Sequence, residues 1–313
     1  MARVRWMVAL FALGGCTGDA NANRDAETDT TGGTSGSSAS PSGDSGDSTT
    51  ADDPDDESST GSVSGTAADE TGVGSSSTGG APPDAYEPIR YPAGRVHSPV
   101  TAYVADQWRA YAERSATPRE DVFLKAGASS TVSPNTLHCF EAATKADLGA
   151  HAHLAGALAY FQGGEAAGPS PFGRDTLAAE SGRSASWVVS GDPSPLDEEW
   201  EALTPRWALA HYGTNDMNLG ATHGSAMVPF HEAMMALVDA MLDRGTVPTL
   251  YGITRRGDSP TAQLWVESYN AVIRGMAQSR QVPFVDLYEA IDPLPGNGLS
   301  GDGIHLLAFS EGA

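Results

Sequence analysis

The chain has 313 residues and a formal net charge of -22, with 40 Asp and Glu against 18 Lys and Arg, and it contains two cysteines. No basic cluster is available to neutralise a phosphate backbone, which argues against nucleic acid as a partner. Two cysteines build no disulfide framework, and no apolar run is long enough to cross a bilayer.

At the N-terminus Arg3 and Arg5 precede a short apolar run, Trp6 to Leu13, followed by Gly14, Gly15 and Cys16. A charged segment, a short apolar segment and small residues in that order make an export signal. Leu13-Gly14-Gly15-Cys16 also resembles a bacterial lipobox, so residues 1–16 read as a lipoprotein signal in which Cys16 is the lipidated residue. Acyl chains on Cys16 would hold the protein on a membrane. Thr17 after the cysteine points to the outer membrane or cell surface rather than the inner membrane. Cys139 then stays a lone thiol.

From Thr17 to about residue 85 the chain is Ser, Thr, Gly, Asp and Ala with almost no large apolar residues. Such a stretch cannot bury enough surface to offset the entropy of folding, and it reads as a disordered tether. Residues 17–84 carry fourteen Asp and Glu against Arg24 alone, a net of -13, so much of the acidity belongs to the tether.

Residues 86–313 have the composition of one globular domain with a sizeable core. A helix is predicted over Ala102 to Arg114, then a buried strand over Asp121 to Ala126 that stops at Gly127. A second helix is predicted from Thr136 to about Ala150, and the glycine-rich and proline-rich stretch Gly163 to Gly173 reads as an insertion or wall loop. Ser186 to Val189 and Arg206 to His211 read as strands. Pro229 is placed in the first turn of a helix in which Phe230, Met234, Leu237, Val238 and Met241 recur at helical spacing. Val247 to Ile253 is a strand, Ala262 to Met276 a helix, and Val282 to Leu287 the last strand. Alternating strands and helices of this length imply an α/β fold with a mostly parallel sheet covered on both faces.

Three stretches carry chemistry. In Gly127-Ala128-Ser129-Ser130-Thr131, Ser129 follows a strand at the sheet edge where open parallel sheets place their ligand sites. A hydroxyl there serves as a helix cap or as a nucleophile. Gly213-Thr214-Asn215-Asp216 follows another predicted strand, where Asn215 forms an Asx-turn or donates an N–H to a developing oxyanion. Asp302-Gly303-Ile304-His305 places a carboxylate three residues before an imidazole. The two make a surface pair, or the carboxylate curls back to accept the Nδ1 proton and aims Nε2 at a hydroxyl. His138, Cys139, His151 and His153 lack zinc-ligand spacing, so no metal is expected. His223 and His231 read as surface or core histidines.

Taken together, in this chain order and at strand ends, the three stretches resemble the SGNH (GDSL-type) hydrolase family over about Val122 to His305. The resemblance implies a flavodoxin-like three-layer αβα sandwich and cleavage of esters without a cofactor. It makes Ser129 the nucleophile, with Ser130 as the fallback, and Asp302 and His305 the rest of a triad. It makes Asn215, Gly182 and the N–H of Ser129 the oxyanion hole. Two departures stand out. Ala128 occupies the position of the family's usual carboxylate, which implies a looser serine turn. Only eight residues follow His305, where relatives continue through a helix, so the domain reads as C-terminally truncated and His305 as loosely held.

The expected activity is a serine esterase or acetylesterase acting through an acyl-enzyme on a small-molecule or polysaccharide ester. Two alternatives share the fold: a non-catalytic surface lipoprotein that binds a glycan or acyl chain, and an acyltransferase. The Gly-x-Ser-x-Gly elbow of α/β-hydrolases is absent around Ser129.

Overall fold

The computed structural model describes residues 86–133, 136–141 and 148–307. The signal peptide, the lipidation motif at Cys16 and the tether therefore lie outside the described residues. Four parallel strands form the sheet in the order β1 (Arg119–Gly127), β2 (Pro205–His211), β3 (Val247–Tyr251), β4 (Phe284–Val285). The register pairs Gly127 with His211, Leu209 with Thr249, and Tyr251 with Val285, so the C-terminal ends of the strands lie nearly level.

On the free side of β1 a single parallel bridge joins Gly127 to Ala179. Gly127 N donates to Ala178 O at 3.2 Å, and Glu180 N donates to Gly127 O at 3.3 Å. This short edge segment precedes β2 in the chain yet lies beyond β1 in the sheet. The spatial order is therefore the 2-1-3-4-5 of a doubly wound sheet, whose direction of winding reverses beside β1. At the opposite edge His97 pairs antiparallel with Val285, and Ser98 N and Asp286 N bond across at 3.0 and 2.9 Å. Both open edges are thus partly capped.

The helices are α1 (Ala102–Ala112), α2 (Ser129–Val132), α3 (Ala155–Gln162), α4 (Ala185–Val188), α5 (Pro195–Leu203), α6 (His223–Asp243), α7 (Pro260–Arg280) and α8 (Leu287–Ile291). Successive strand side chains point to opposite faces, yet Val122 to Gly127 of β1 and every residue of β3 are buried. Both faces are therefore covered, which is the three-layer arrangement. Caps read directly from the sequence start the longer helices: Ser194 and Asp197 form a capping box on α5, Thr222 and Ser225 form one on α6, and Ser259 caps α7. The apolar stripe of α6 (Phe230, Met234, Leu237, Val238 and Met241) is buried, at about 1.5–3 kcal/mol for each large side chain removed from water.

Several predicted elements differ. Ser186 to Val189 is not a strand: Ala185–Val188 is a helical turn. The helix expected from Thr136 to Ala150 is broken into a 3₁₀ turn at His138–Glu141 and another at Gly149–Leu154 that leads into α3. Pro229 sits inside α6, which its Thr222 cap starts six residues earlier at His223. Within the stretch Gly163 to Gly173, Ala166 and Phe172 are buried and Gly164 lies against the Asp121 carbonyl of β1. Cys139 is buried and disulfide-bonded, not a lone thiol.

Candidate active site

β1 runs into Gly127, and Ala128 (φ -117°, ψ -147°) turns the chain into α2, whose first residue is Ser129. Gly127 cannot carry a side chain there: a Cβ would collide with Thr131 Oγ1 and come within 2.9 Å of the His211 carbonyl oxygen. The N–H groups of Thr131 and Val132 donate back to Ala128 O at 2.9 and 3.0 Å, and Thr136 Oγ1 donates to Ser130 O. Without a carboxylate at Ala128, this turn is fastened by those bonds and by the bridge to residues 178–180.

The second cluster is a loop whose flanks, Leu299 and Leu306, pair in an antiparallel bridge. Within it Ser300 N donates to His305 O at 2.8 Å and Gly303 N to Ser300 O at 3.0 Å. Residues on its own N-terminal side therefore bond to the backbone of His305. Asp302 Oδ1 accepts from Ser300 Oγ (2.6 Å) and from the N–H groups of Ile304 and His305 (both 3.0 Å). Asp302 Oδ2 lies 2.6 Å from His305 Nδ1.

His305 Nε2 lies 2.8 Å from Ser129 Oγ, so the imidazole meets Ser129 and not Ser130. Hydrogen bonds, first that of His305 and then that of Ser300, hold the Asp302 carboxyl well below the usual carboxylate range. An ionised Asp302 can only accept, so Nδ1 carries the proton and Nε2 presents its lone pair to the serine O–H. Three side chains from two segments 173 residues or more apart in sequence are thereby joined in one hydrogen-bonded chain. About half of the Asp302 side chain and two-fifths of that of His305 remain exposed, so the chain of bonds lies open to incoming molecules.

Gly182 stands in the turn Glu180-Ser181-Gly182-Arg183, closed by Arg183 N donating to Glu180 O at 3.3 Å. Its φ of +79° is the positive value that the third position of a type II turn demands, which is why glycine stands there. Two bonds bring the turn to the sheet edge: Glu180 N to Gly127 O, and Asn215 Nδ2 to Arg183 O at 3.0 Å. Among the described residues the N–H groups of Ser129 and Gly182 donate to no protein acceptor.

Two residues whose roles the sequence did not reveal organise these loops. Asp216 is 2% exposed; one carboxylate oxygen accepts from Ala185 N at 3.0 Å and the other from Gly213 N at 3.1 Å. It ties the turn bearing Asn215 to the start of α4, and burial pushes its carboxyl up to about 6. Arg256, buried in the loop after β3, donates to Thr214 O at 2.7 Å and grips Asp258 through two bonds of 2.8 and 2.9 Å. The only sequence signal for either was a charged residue just past a strand's C-terminal end.

His138 Nε2 lies 3.5 Å from Lys125 Nζ, His223 Nε2 lies 2.6 Å from Ser268 Oγ, and His151 and His153 are exposed. Among the described residues no group of three or more His, Cys, Asp or Glu side chains is arranged to hold a metal ion.

Residues 155–308 match the model of the GDSL-like lipase/acylhydrolase family. The matched stretch contains Gly182, Asn215, Asp302 and His305 and begins after Ser129, so what joins Ser129 to it is the hydrogen bond its hydroxyl donates to His305 Nε2. No curated protein matches the chain. Among solved structures, a GDSL-like lipase from Bacteroides thetaiotaomicron is 17% identical, with 65% of this chain and 90% of that one covered, at a TM-score of 0.40. A variant of an acetyl xylan esterase from Geobacillus stearothermophilus is 17% identical, with 61% and 88% covered, at 0.40. An acetyl esterase variant with bound acetate is 20% identical, with 59% and 87% covered, at 0.42.

Proposed function

Residues 155–308 belong to the GDSL-like lipase/acylhydrolase family, the protein is a hydrolase acting on ester bonds, and from that premise we propose that Ser129, His305 and Asp302 carry the reaction. The observation that supports this is the unbroken run of short hydrogen bonds from Asp302 Oδ2 through the imidazole to Ser129 Oγ. In the reaction Ser129 Oγ attacks the ester carbonyl while His305 Nε2 takes its proton. Asp302 keeps the proton on Nδ1 and stabilises the imidazolium that forms. The tetrahedral oxyanion is met by the N–H groups of Ser129 and Gly182 and by the Asn215 amide. Collapse expels the alcohol, which His305 protonates; water then repeats the sequence on the acyl-enzyme.

The substrate in this reading is a short-chain acyl ester, in its natural form an O-acetyl group on an extracellular carbohydrate. The export signal and the Leu13-Gly14-Gly15-Cys16 motif support a site outside the cell, on a lipid anchor at the outer membrane or cell surface with residues 17–85 as a tether. Intact mass of the membrane fraction tests the anchor, with acyl chains expected on Cys16 and their absence removing it.

A fluorophosphonate probe tests the chemistry. Labelling is expected at Ser129 in the parent and at no residue in Ser129→Ala, with hydrolysis rates falling from acetyl through butyryl to octanoyl esters. A folded sample that resists the probe would instead support a non-catalytic binder.

A further inference from the structure

The loop that follows β3 touches both halves of the site without contributing a group to either. We infer that Arg256 is a positioning residue for the hydrolysis proposed above, holding the oxyanion turn and the Asp302–His305 loop in register with one guanidinium. The inference rests on that reading of the site.

Arg256 is 3% exposed, and its Nη1 donates to the carbonyl of Thr214, the residue before Asn215, at 2.7 Å. Its Nε and Nη2 form a two-pronged bond to the carboxylate of Asp258 at 2.8 and 2.9 Å. The residue between them, Gly257, donates its N–H to the carbonyl of Gly303 at 2.8 Å. Gly303 lies between Asp302 and His305 and takes a φ of +72°; a Cβ there would lie 2.9 Å from both Asp258 N and Gly257 C. Thr254 Oγ1 adds a longer bond to Ile304 O at 3.4 Å. The β3 loop is itself fixed to α7, because Arg256 N donates to Gln263 Oε1 at 2.8 Å.

One side of the guanidinium thus fixes the peptide that aims Asn215, and the other fixes the segment against which the His305 loop rests. The planar fork is needed for this double duty, since a lysine ammonium is a point charge and cannot hold both oxygens of Asp258 and also reach Thr214 O. Asp258 also lies close enough to Asp302 for their charges to repel, and Arg256 hydrogen-bonds and neutralises it. Without the guanidinium, that negative charge would face the carboxylate that holds the imidazole.

The test compares Arg256→Ala, Arg256→Lys and Asp258→Asn with the parent on p-nitrophenyl acetate, with kcat, KM and thermal midpoint measured on the full chain. A displacement of about 1 Å costs about 10²-fold in rate, so Arg256→Ala is expected to lose that factor in kcat with KM nearly unchanged. Arg256→Lys should fall between it and the parent, and millimolar guanidinium ion should restore part of the lost kcat to Arg256→Ala. A folded Arg256→Ala with kcat within threefold of the parent, or a loss of rate that only tracks the folded fraction, would overturn the inference. Should Arg256→Ala fail to fold, Asp258→Asn decides, with a several-fold lower kcat expected and an unchanged one overturning the inference. Ser129→Ala in the same assay separates the two readings: activity surviving that change would refute the triad itself, whatever Arg256 does.

Discussion

Asn215 has two amide hydrogens, and one of them is already bonded to Arg183 O. The other is left for a substrate oxygen, so in the proposed reaction a single side chain both shapes the Gly182 turn and would serve as an oxyanion donor. Asn215→Ala should therefore lower kcat by about 10²–10³, or about 3–4 kcal/mol of transition-state stabilisation. Its thermal midpoint should move little, because Asn215 is partly exposed and its one bond joins two surface loops. Rates with p-nitrophenyl acetate beside a melting curve check this; equal rates would remove Asn215 from the oxyanion site. Ser129, Asn215, Asp302 and His305 stood out as candidates because each is a reactive residue type just beyond a strand or a short loop, and the fold brings Ser129, His305 and Asp302 into one hydrogen-bonded chain. Asp216 and Arg256 did not stand out, since a carboxylate or guanidinium after a strand reads equally well as surface charge. Only the fold shows that Asp216 meets Ala185 and that Arg256 meets Thr214.

Among the elements, β1 and α2 set the position of Ser129 through Gly127, where the strand's last residue, the Thr131 side chain and the His211 carbonyl crowd one point. In Gly127→Ala the new methyl group must push α2 away from β2, since the His211 carbonyl belongs to a paired strand and cannot give. Overpacking of this kind costs about 1–3 kcal/mol, and here the displaced element carries Ser129. The variant should thus lose both stability and the rate of fluorophosphonate labelling, while a control Gly275→Ala in α7, where a Cβ meets nothing within 4 Å, should leave labelling unchanged and raise stability by about 0.5–1 kcal/mol. Labelling at the parental rate would mean that α2 keeps its place without this contact. Strands β1, β2 and β3 were legible as apolar runs, and α6 and α7 as periodic stripes with caps. The turn at Ala185–Val188 was misread because Ser186-Trp187-Val188-Val189 has strand-like composition. Its helical form is fixed by the bond from Ala185 N to Asp216, a contact 31 residues away in sequence. β4 is only two residues long, and on its outer edge it pairs with the antiparallel segment around His97.

For the whole molecule, the same buried carboxylates that organise the loops set how stability varies with pH. Burial raises the carboxyls of Asp216, to about 6, and of Asp286 above their ordinary 3.8. A group raised on folding gives stability that is fully present below its unfolded value and is lost as pH rises through its folded value. Asp197, Asp258 and Asp302 are displaced the other way by hydrogen bonds from Ser194, Arg256 and His305. Their contribution is present above 3.8 and disappears as pH falls toward their folded values. The two slopes oppose each other and leave a maximum between them. The urea midpoint should accordingly be highest near about pH 4, drop as pH rises toward 7 and drop again below about pH 3.5. Asp216→Asn keeps the shape and removes the titration, at the cost of one of the two backbone bonds. Relative to the parent it should gain up to about 3 kcal/mol between pH 4 and pH 7, at 1.36 kcal/mol for each unit of displacement. A difference between the two proteins that stayed constant over that interval would show that Asp216 is ionised in the core at little cost, with its two backbone donors outweighing its burial.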